Sequence, residues 1–405
     1  MIKCRKCGAV DAIAKSGIIR GKQRYYCKRC DYYFTLQSPA DALLSSRRHQ
    51  TTIIDIAREL QISKSTVSRA LHGHKDIHED TRRVVLEMAE KMDYQPNLLA
   101  YGLAKSKSQT IGIIVPEFIN SFFPQIIIGA QDVANPAGYH VIICHSNESI
   151  DREIENTNVL IASRVDGVIA SVTRETANLD HFRKFEKAGI PIVYFNRVCG
   201  DQPSSKVLVD DYEGALKGVE HLIANGCSRI AHIAGPRQLQ ITHDRMSGYK
   251  DALLRHGLPV DESLIVHHDL TPSNARECAR QLFGMKNRPD GLFTVNDPAA
   301  IQAMLVAREM KIEIPNALAI VGFSNEPISS FIEPRLTTLA QPLEEMGRVA
   351  IELLLKQMND TSPEIVHETK ILQTTLIVRE SSVRSKGTRP RTKVGAGIAS
   401  GNDSR

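Results

Sequence analysis

Tryptophan is missing from this 405-residue chain, and the aromatic share is only 5%. No apolar run approaches the roughly 18 residues that a membrane-spanning helix needs, which excludes a helical membrane protein. The N-terminal stretch MIKCRKCGAV is charged and carries no apolar signal-peptide core, so the expected compartment is the cytoplasm. A Gly-rich phosphate loop, a nucleophile elbow and a set of acidic residues arranged to hold catalytic metals are also lacking, and enzyme activity is not expected. What remains is 42% hydrophobic and too long for a single typical core, which points to two or three domains.

Charge is divided unevenly. Residues 1–110 hold 20 Lys+Arg against 11 Asp+Glu, residues 111–383 hold 25 against 34, and residues 384–405 hold 6 against 1. Basic ends suit a polyanion, whereas the acidic middle would be repelled by one. The 384–405 tail is polar and Gly-rich, a composition expected of disorder.

Residues 51–105 carry the most informative pattern. Ile56 and Leu60 lie four apart, as do Val67 and Leu71, so each pair can face a common core from a short helix. Between them, Gln61-Ile62-Ser63 forms the break, with Ser63 placed to cap the second helix and Ile62 to plug the angle. This is helix-turn-helix geometry. It puts Lys64, Ser65, Thr66 and Arg69 within reach of bases and phosphates in a major groove. A third helix, from about Asp80 to Met92, would close the core with Val84, Val85, Met88, Ala89 and Met92.

The run ISKSTVSRAL, then YQPN at Tyr94 to Asn97, SQTIGIIVP at Ser108 to Pro116, DGVI at Asp166 to Ile169, RMSGY at Arg245 to Tyr249 and VNDPAA at Val295 to Ala300 appear in order. VGFSNEP and EPRLTTLAQP, from Val321 to Pro342, complete the series. Together they resemble the lactose/galactose repressor (LacI/GalR) family over residues 51 to about 383. The resemblance implies a dimer that binds a pseudo-palindromic operator as a ligand-controlled repressor. It also implies that the segment from Asn97 to Lys105 becomes a hinge helix on DNA, with Leu103 wedged into the minor groove. Gly102 would weaken that helix by about 1 kcal/mol relative to Ala, so order should depend on DNA. Tetramers in the family rely on a C-terminal heptad zipper, which is absent here, and a homodimer is expected.

From residue 109, short apolar runs alternate with amphipathic helices: TIGIIVP, YHVIICH, DGVIAS and IPIVYFN, then VLVD, SRIAHIAG, DGLFTV and LAIVGF. Such alternation implies parallel sheets covered on both faces, in two lobes similar to periplasmic binding proteins. Ligands in open α/β sheets sit at the carboxyl ends of strands. That rule selects Asn120, Phe122, Asn196, Arg197, Arg245, Asn296, Asp297 and Gln341. The resemblance matches Arg245 and Asp297 to the family's ligand-contacting arginine and aspartate. A guanidinium and a carboxylate facing one cleft can bind vicinal hydroxyls, while Phe122 can stack on a sugar face. A carbohydrate or sugar derivative is the expected effector, with purines and nucleosides also bound in this family. An exported or tethered carbohydrate-binding protein shares the two-lobed fold, but it would require a signal sequence.

The eight cysteines fall into two sets. Cys144, Cys199, Cys227 and Cys278 are scattered in apolar context and read as buried structural residues. Cys4 and Cys7, then 19 residues, then Cys27 and Cys30 have the spacing of two knuckles sharing one tetrahedral Zn2+. A redox dithiol usually sits at a strand–helix junction, which this segment lacks, and a reducing cytoplasm disfavours disulfides. GKQRYYCKRC resembles the ribbon at the start of some insertion-sequence transposases. Arg20, Lys22, Arg24, Lys28 and Arg29, interleaved with Tyr25, Tyr26, Tyr32 and Tyr33, could touch nucleic acid or only solvate and pack a very small domain. Family members usually begin directly with the helix-turn-helix, so this ribbon is a departure.

The expected architecture is multidomain: a zinc ribbon (1–36), a linker (37–50), an all-α helix-turn-helix head (51–96), a hinge (97–108), a two-lobed α/β sensor (109–383) and a tail (384–405).

Overall fold

The computed structural model describes residues 2–4, 6–19, 22–35, 51–95, 107–200, 203–360, 362 and 366–384. The expected linker, most of the expected hinge with Asn97 and Leu103, the ribbon's Arg20 and the tail beyond Arg384 lie outside these residues. The chain divides into two compact units, 1–101 and 102–405.

The first unit opens with an antiparallel meander of β1 (Ile13–Ile19), β2 (Lys22–Cys27) and β3 (Tyr32–Thr35). Its core is small: Cys4, Ala9, Tyr25, Cys27 and Phe34. So little apolar burial cannot offset chain entropy alone, and a domain of this size needs a cross-link or a metal.

Three helices follow: α1 (Ile53–Glu59), α2 (Lys64–Leu71) and α3 (Glu79–Lys91). Asp55 Oδ2 accepts the Thr52 N–H at 3.0 Å at the start of α1. Ser63 Oγ caps α2 by accepting the Thr66 N–H at 3.0 Å, and Gln61 makes the turn with φ of 56°. Ile56, Ala57, Val67, Ala70, Val85 and Ala89 are buried together, with Ile62, Met88 and Met92 packed around them. Val84 does not join this core. It is 42% exposed, because successive helical residues point about 100° apart and Val85 takes the inward direction.

In the second unit the elements alternate in chain order. They are β4 (Thr110–Val115), α4 (Phe122–Ala134), β5 (His140–His145), α5 (Ile150–Ala162), β6 (Gly167–Ala170), α6 (Arg183–Lys187), β7 (Ile192–Phe195) and β8 (Ser205–Val209). Next come α7 (Asp211–Ala224), β9 (Ile230–Ala234), α8 (Gln240–Arg255), β10 (Ile265–His267), α9 (Pro272–Phe283), β11 (Gly291–Thr294) and α10 (Asp297–Glu309). The series ends with β12 (Ala319–Ser324), β13 (Thr337–Ala340), α11 (Leu343–Asn359), β14 (Thr369–Leu372) and β15 (Thr375–Ile377).

Two six-stranded sheets result, ordered β14-β8-β7-β6-β4-β5 in lobe 1 and β10-β9-β11-β12-β13-β15 in lobe 2. Every pairing is parallel except β13 with β15. Helices cover both faces, so each sheet is sandwiched between two apolar layers. In lobe 1 the backbones of α4 and α11 nearly touch, since a Cβ on Gly129 would lie 1.9 Å from the Glu344 carbonyl oxygen and one on Gly347 1.9 Å from that of Ile126. Only glycine permits this approach.

The chain passes between lobes three times: from β8 to α7, from β13 to α11 and from β14 to β15. The carboxyl ends of β4, β7, β11 and β12 thereby face one interlobe cleft. Among the described residues, no helix is long and apolar enough to cross a membrane.

Candidate functional site

Three sites emerge from this scaffold. On the helix-turn-helix head, Lys64, Ser65 and Arg69 are exposed along the start and outer face of α2, as a groove-reading helix requires. Thr66 is half-buried and its hydroxyl lies 2.8 Å from Ser63 Oγ, so it belongs as much to the cap as to the reading face. Arg69 is held by an exposed ion pair with Asp76 at 2.6 Å. A surface pair of this kind contributes little and leaves the guanidinium free to exchange partners.

In the ribbon, Cys4 Sγ lies 3.6 Å from Cys30 Sγ and Cys7 Sγ 3.7 Å from Cys27 Sγ, and all four sulfurs fall within 4.8 Å of one another. Tetrahedral Zn–S bonds of about 2.3 Å place ligand sulfurs roughly 3.8 Å apart, so the donor set fits that ion. The Lys6 N–H points at Cys4 Sγ at 3.4 Å, and the Gly8 N–H donates to the Cys4 carbonyl at 3.0 Å. Those bonds shape the first knuckle, with Gly8 at φ of 75°. Outside it, the Arg24 guanidinium stacks 4.1 Å above the Tyr33 ring, and Tyr33 packs against Tyr26.

The interlobe cleft is lined by Asn120, Phe122, Asn196, Arg197, Arg245, Asn296 and Gln341, which the strand-end rule had selected from remote parts of the chain. Arg245 enters from α8 and is almost fully buried. Its guanidinium pairs with Asp211 at 2.7 Å, donates to the Val295 carbonyl and lies 3.7 Å above the Phe323 ring. Burial pushes Asp211 up to about 6 despite the opposing pull of Arg245. Arg197 pairs with Glu148 at 2.7 Å. Asn296 spends its Oδ1 capping α10, accepting the Ala299 N–H at 2.9 Å.

Asp297 corrects the sequence expectation. It is fully buried and does not line the cleft. Its oxygens accept from Ser329 Oγ (2.7 Å), Thr338 Oγ1 (2.5 Å) and the Glu326 N–H (2.8 Å). A carboxylate at the first position of a helix can turn outward to a ligand or inward to the next strands, and residue spacing does not distinguish the two. The carboxylates that do line the cleft are Glu117 and Glu326, and Ser324 joins them at the end of β12. Glu117 and Ser324 obey the same strand-end rule, although they are not among the residues expected from the sequence. Glu326, like Glu117, stands two residues past the end of its strand and obeys that rule as well.

The two lobes meet across both rims. Glu326 Oε2 of lobe 2 accepts the Ser121 hydroxyl of lobe 1 at 2.7 Å. On the other side, Arg174 donates to the Asp269 carbonyl at 2.8 Å, and Gln238 donates to the Arg174 carbonyl. The space left between them is about 60 Å3, room for a couple of water molecules, so a sugar-sized ligand requires the lobes to part.

Residues 52–97 match the model of bacterial regulatory proteins of the lacI family, and residues 219–382 match a periplasmic binding protein-like domain. Catabolite control protein A of Priestia megaterium is 34% identical over 312 residues, covering 76% of this chain and 92% of that protein. The chain belongs to the LacI family. It is therefore a DNA-binding transcriptional regulator with a helix-turn-helix head and a two-lobed α/β sensor. The ribose operon repressor of Halalkalibacterium halodurans is 32% identical over 332 residues, covering 82% of this chain and 97% of that one. Among solved structures, the transcriptional regulator CelR–cellobiose complex superposes with a TM-score of 0.64 at 27% identity, covering 82% of this chain and all of that one. The cysteine ribbon precedes both family-model matches.

Proposed function

We propose that this LacI-family regulator works as a homodimer on a pseudo-palindromic operator, and that a carbohydrate bound between the lobes sets its DNA affinity. The observation that carries the sensor reading is the cleft itself. Residues from β4, β7, α8, β11 and the β13–α11 crossover converge there, and direct hydrogen bonds tie its two walls, so a ligand that binds one closure state better shifts the whole sensor. Relatives named for ribose operon control and crystallised with cellobiose support a saccharide ligand. Lys64, Ser65, Thr66 and Arg69 read the groove in this proposal, and Asn97 and Leu103 couple the sensor to the minor groove.

The dimer is supported by apolar side chains left exposed beside the Glu326–Ser121 contact: Phe118 and Ile119 from lobe 1, Ile328 and Phe331 from lobe 2. Ile119 is 88% and Phe331 80% exposed. Exposed apolar side chains contributed by both lobes suit a partner surface. A two-fold pairing there presents two reading helices to adjacent half-sites, and relative movement of the lobes changes their spacing. The four clustered thiolates hold Zn2+ in this proposal, as a structural ion that supplies the ribbon with the stability its core lacks.

Selection of bound sequences from a random duplex library tests the reading. Full-length protein and a chain beginning at Arg47 should enrich the same pseudo-palindrome, and addition of the correct saccharide should change operator affinity. No enrichment, or enrichment of a non-repeating site, would overturn the dimeric operator model.

A further inference from the structure

The charge of the cleft is not balanced. Its two guanidiniums, Arg197 and Arg245, are already committed to Glu148 and Asp211. Glu117 and Glu326 add two further carboxylates to the lining, and among the described residues neither forms an ion pair. Glu117 accepts the N–H groups of Ile119 (2.5 Å) and Asn120 (3.3 Å). Glu326 accepts from Ser121. In and around the cleft, four carboxylates therefore stand against two guanidiniums. An independent feature points the same way: Gln341, 9% exposed, donates its amide to Ser324 Oγ at 3.2 Å, while its buried Oε1 has no hydrogen-bond partner. Among the described lining residues, the one buried side-chain atom left without a partner is thus an acceptor.

We infer that the cleft takes an uncharged, hydroxyl-rich ligand and rejects the phosphorylated or carboxylated form of the same molecule. This rests on the sensor reading above and narrows it to neutral polyols. Hydroxyl groups can donate to Glu117, Glu326 and Gln341 Oε1. A phosphate monoester near neutral pH carries a charge of about −1.5 to −2 and offers mainly acceptors. It would face carboxylates whose own ionisation burial already disfavours, Glu117 and Glu326 both being pushed above the usual range. Drawing Arg197 or Arg245 toward it would strip Glu148 or Asp211 of its partner.

Calorimetric titration of the full-length protein with matched pairs tests this: ribose and ribose 5-phosphate, glucose and glucose 6-phosphate, adenosine and its 5′-monophosphate. In whichever pair binds, the neutral member should bind at least tenfold more tightly. A Glu117→Gln/Glu326→Gln double variant, shown by its melting curve to be folded, should narrow that ratio, whereas exclusion by size would leave it unchanged. Equal or tighter binding of a phosphorylated member, or an unaltered ratio in the variant, overturns the inference and leaves the sensor reading standing. A nucleoside pair that obeys the rule supports it while displacing the carbohydrate reading. Silence across all pairs, extended to neutral disaccharides, overturns the sensor reading and this inference with it.

Discussion

Arg69 on the reading helix and Arg245 in the sensor are both paired to an aspartate, at 2.6 and 2.7 Å. Their surroundings are opposite. The Arg69 side chain is 45% exposed and that of Arg245 4%. An exposed pair is screened by water and exchanges partners at little cost, which suits the DNA-reading role proposed for Arg69. A buried pair cannot be broken without stranding a charge in a low-dielectric interior, which suits a residue that holds the wall of a cleft. The head thus keeps its chemistry on the surface of a small core. The sensor builds its chemistry into the packing, so affinity and stability should separate in one unit and move together in the other.

The largest expected effect concerns the ribbon. If the four thiolates hold Zn2+ as proposed, chelation should unfold the ribbon, since structural Zn2+ contributes on the order of 10 kcal/mol to such domains. The sensor's melting transition should stay in place, and a ribbon that retains its amide dispersion after metal removal would break this account. Arg245→Ala should destabilise the sensor by roughly 3–5 kcal/mol in urea unfolding, because Asp211 is left buried and uncompensated. A loss below 1 kcal/mol would put the pair in the same class as the exposed one.

Acid should also strike the sensor. Burial lowers His232 to about 3 and His268 to about 4. The unfolded chain binds more protons than the fold below an ordinary histidine value of about 6.5, so stability present at neutral pH is lost as pH falls toward these values. The slope approaches about 1.4 kcal/mol per pH unit for each imidazole. The raised carboxyls of Asp211, Glu117 and Glu326 act in the opposite direction over the same range, so the check is a difference: a folded His268→Gln variant whose unfolding free energy keeps the parent's pH slope between about pH 6.5 and 4 would contradict the burial of that ring. Arg69→Ala should weaken operator binding by roughly 1–3 kcal/mol and leave the sensor's melting temperature unmoved. Smallest of all, Ser63→Ala should cost the head about 1 kcal/mol by uncapping α2, a change visible in the head's own thermal transition.

Much of this molecule could be read from spacing. The cap at Ser63, the knuckles at Cys4/Cys7 and Cys27/Cys30 and the ends of β4, β7 and β11 are local patterns, and Asn120, Asn196, Arg197 and Asn296 all arrive at one cleft as their strand positions suggested. The four scattered cysteines, Cys144, Cys199, Cys227 and Cys278, are buried as their apolar neighbours implied. The errors occurred where a residue had two allowed directions. Val84 and Val85 compete for one inward position on α3, and Asp297 has an inward alternative because Ser329 and Thr338 wait there with hydroxyl donors.

By itself the sequence determined the helix-turn-helix, the paired spacing of the four N-terminal cysteines and the alternation of strand and helix. These follow from chain geometry over a few residues, where hydrophobic period, caps and turns act within one element. Only the tertiary structure decided that Glu326 meets Ser121 across 205 positions of chain, that Arg245 is bound to Asp211, and that Glu117 and Glu326 leave the cleft rich in acceptors. Those contacts depend on three passages of the chain between lobes, which set distant strand ends face to face, and no local periodicity encodes which side chains then lie within hydrogen-bonding distance.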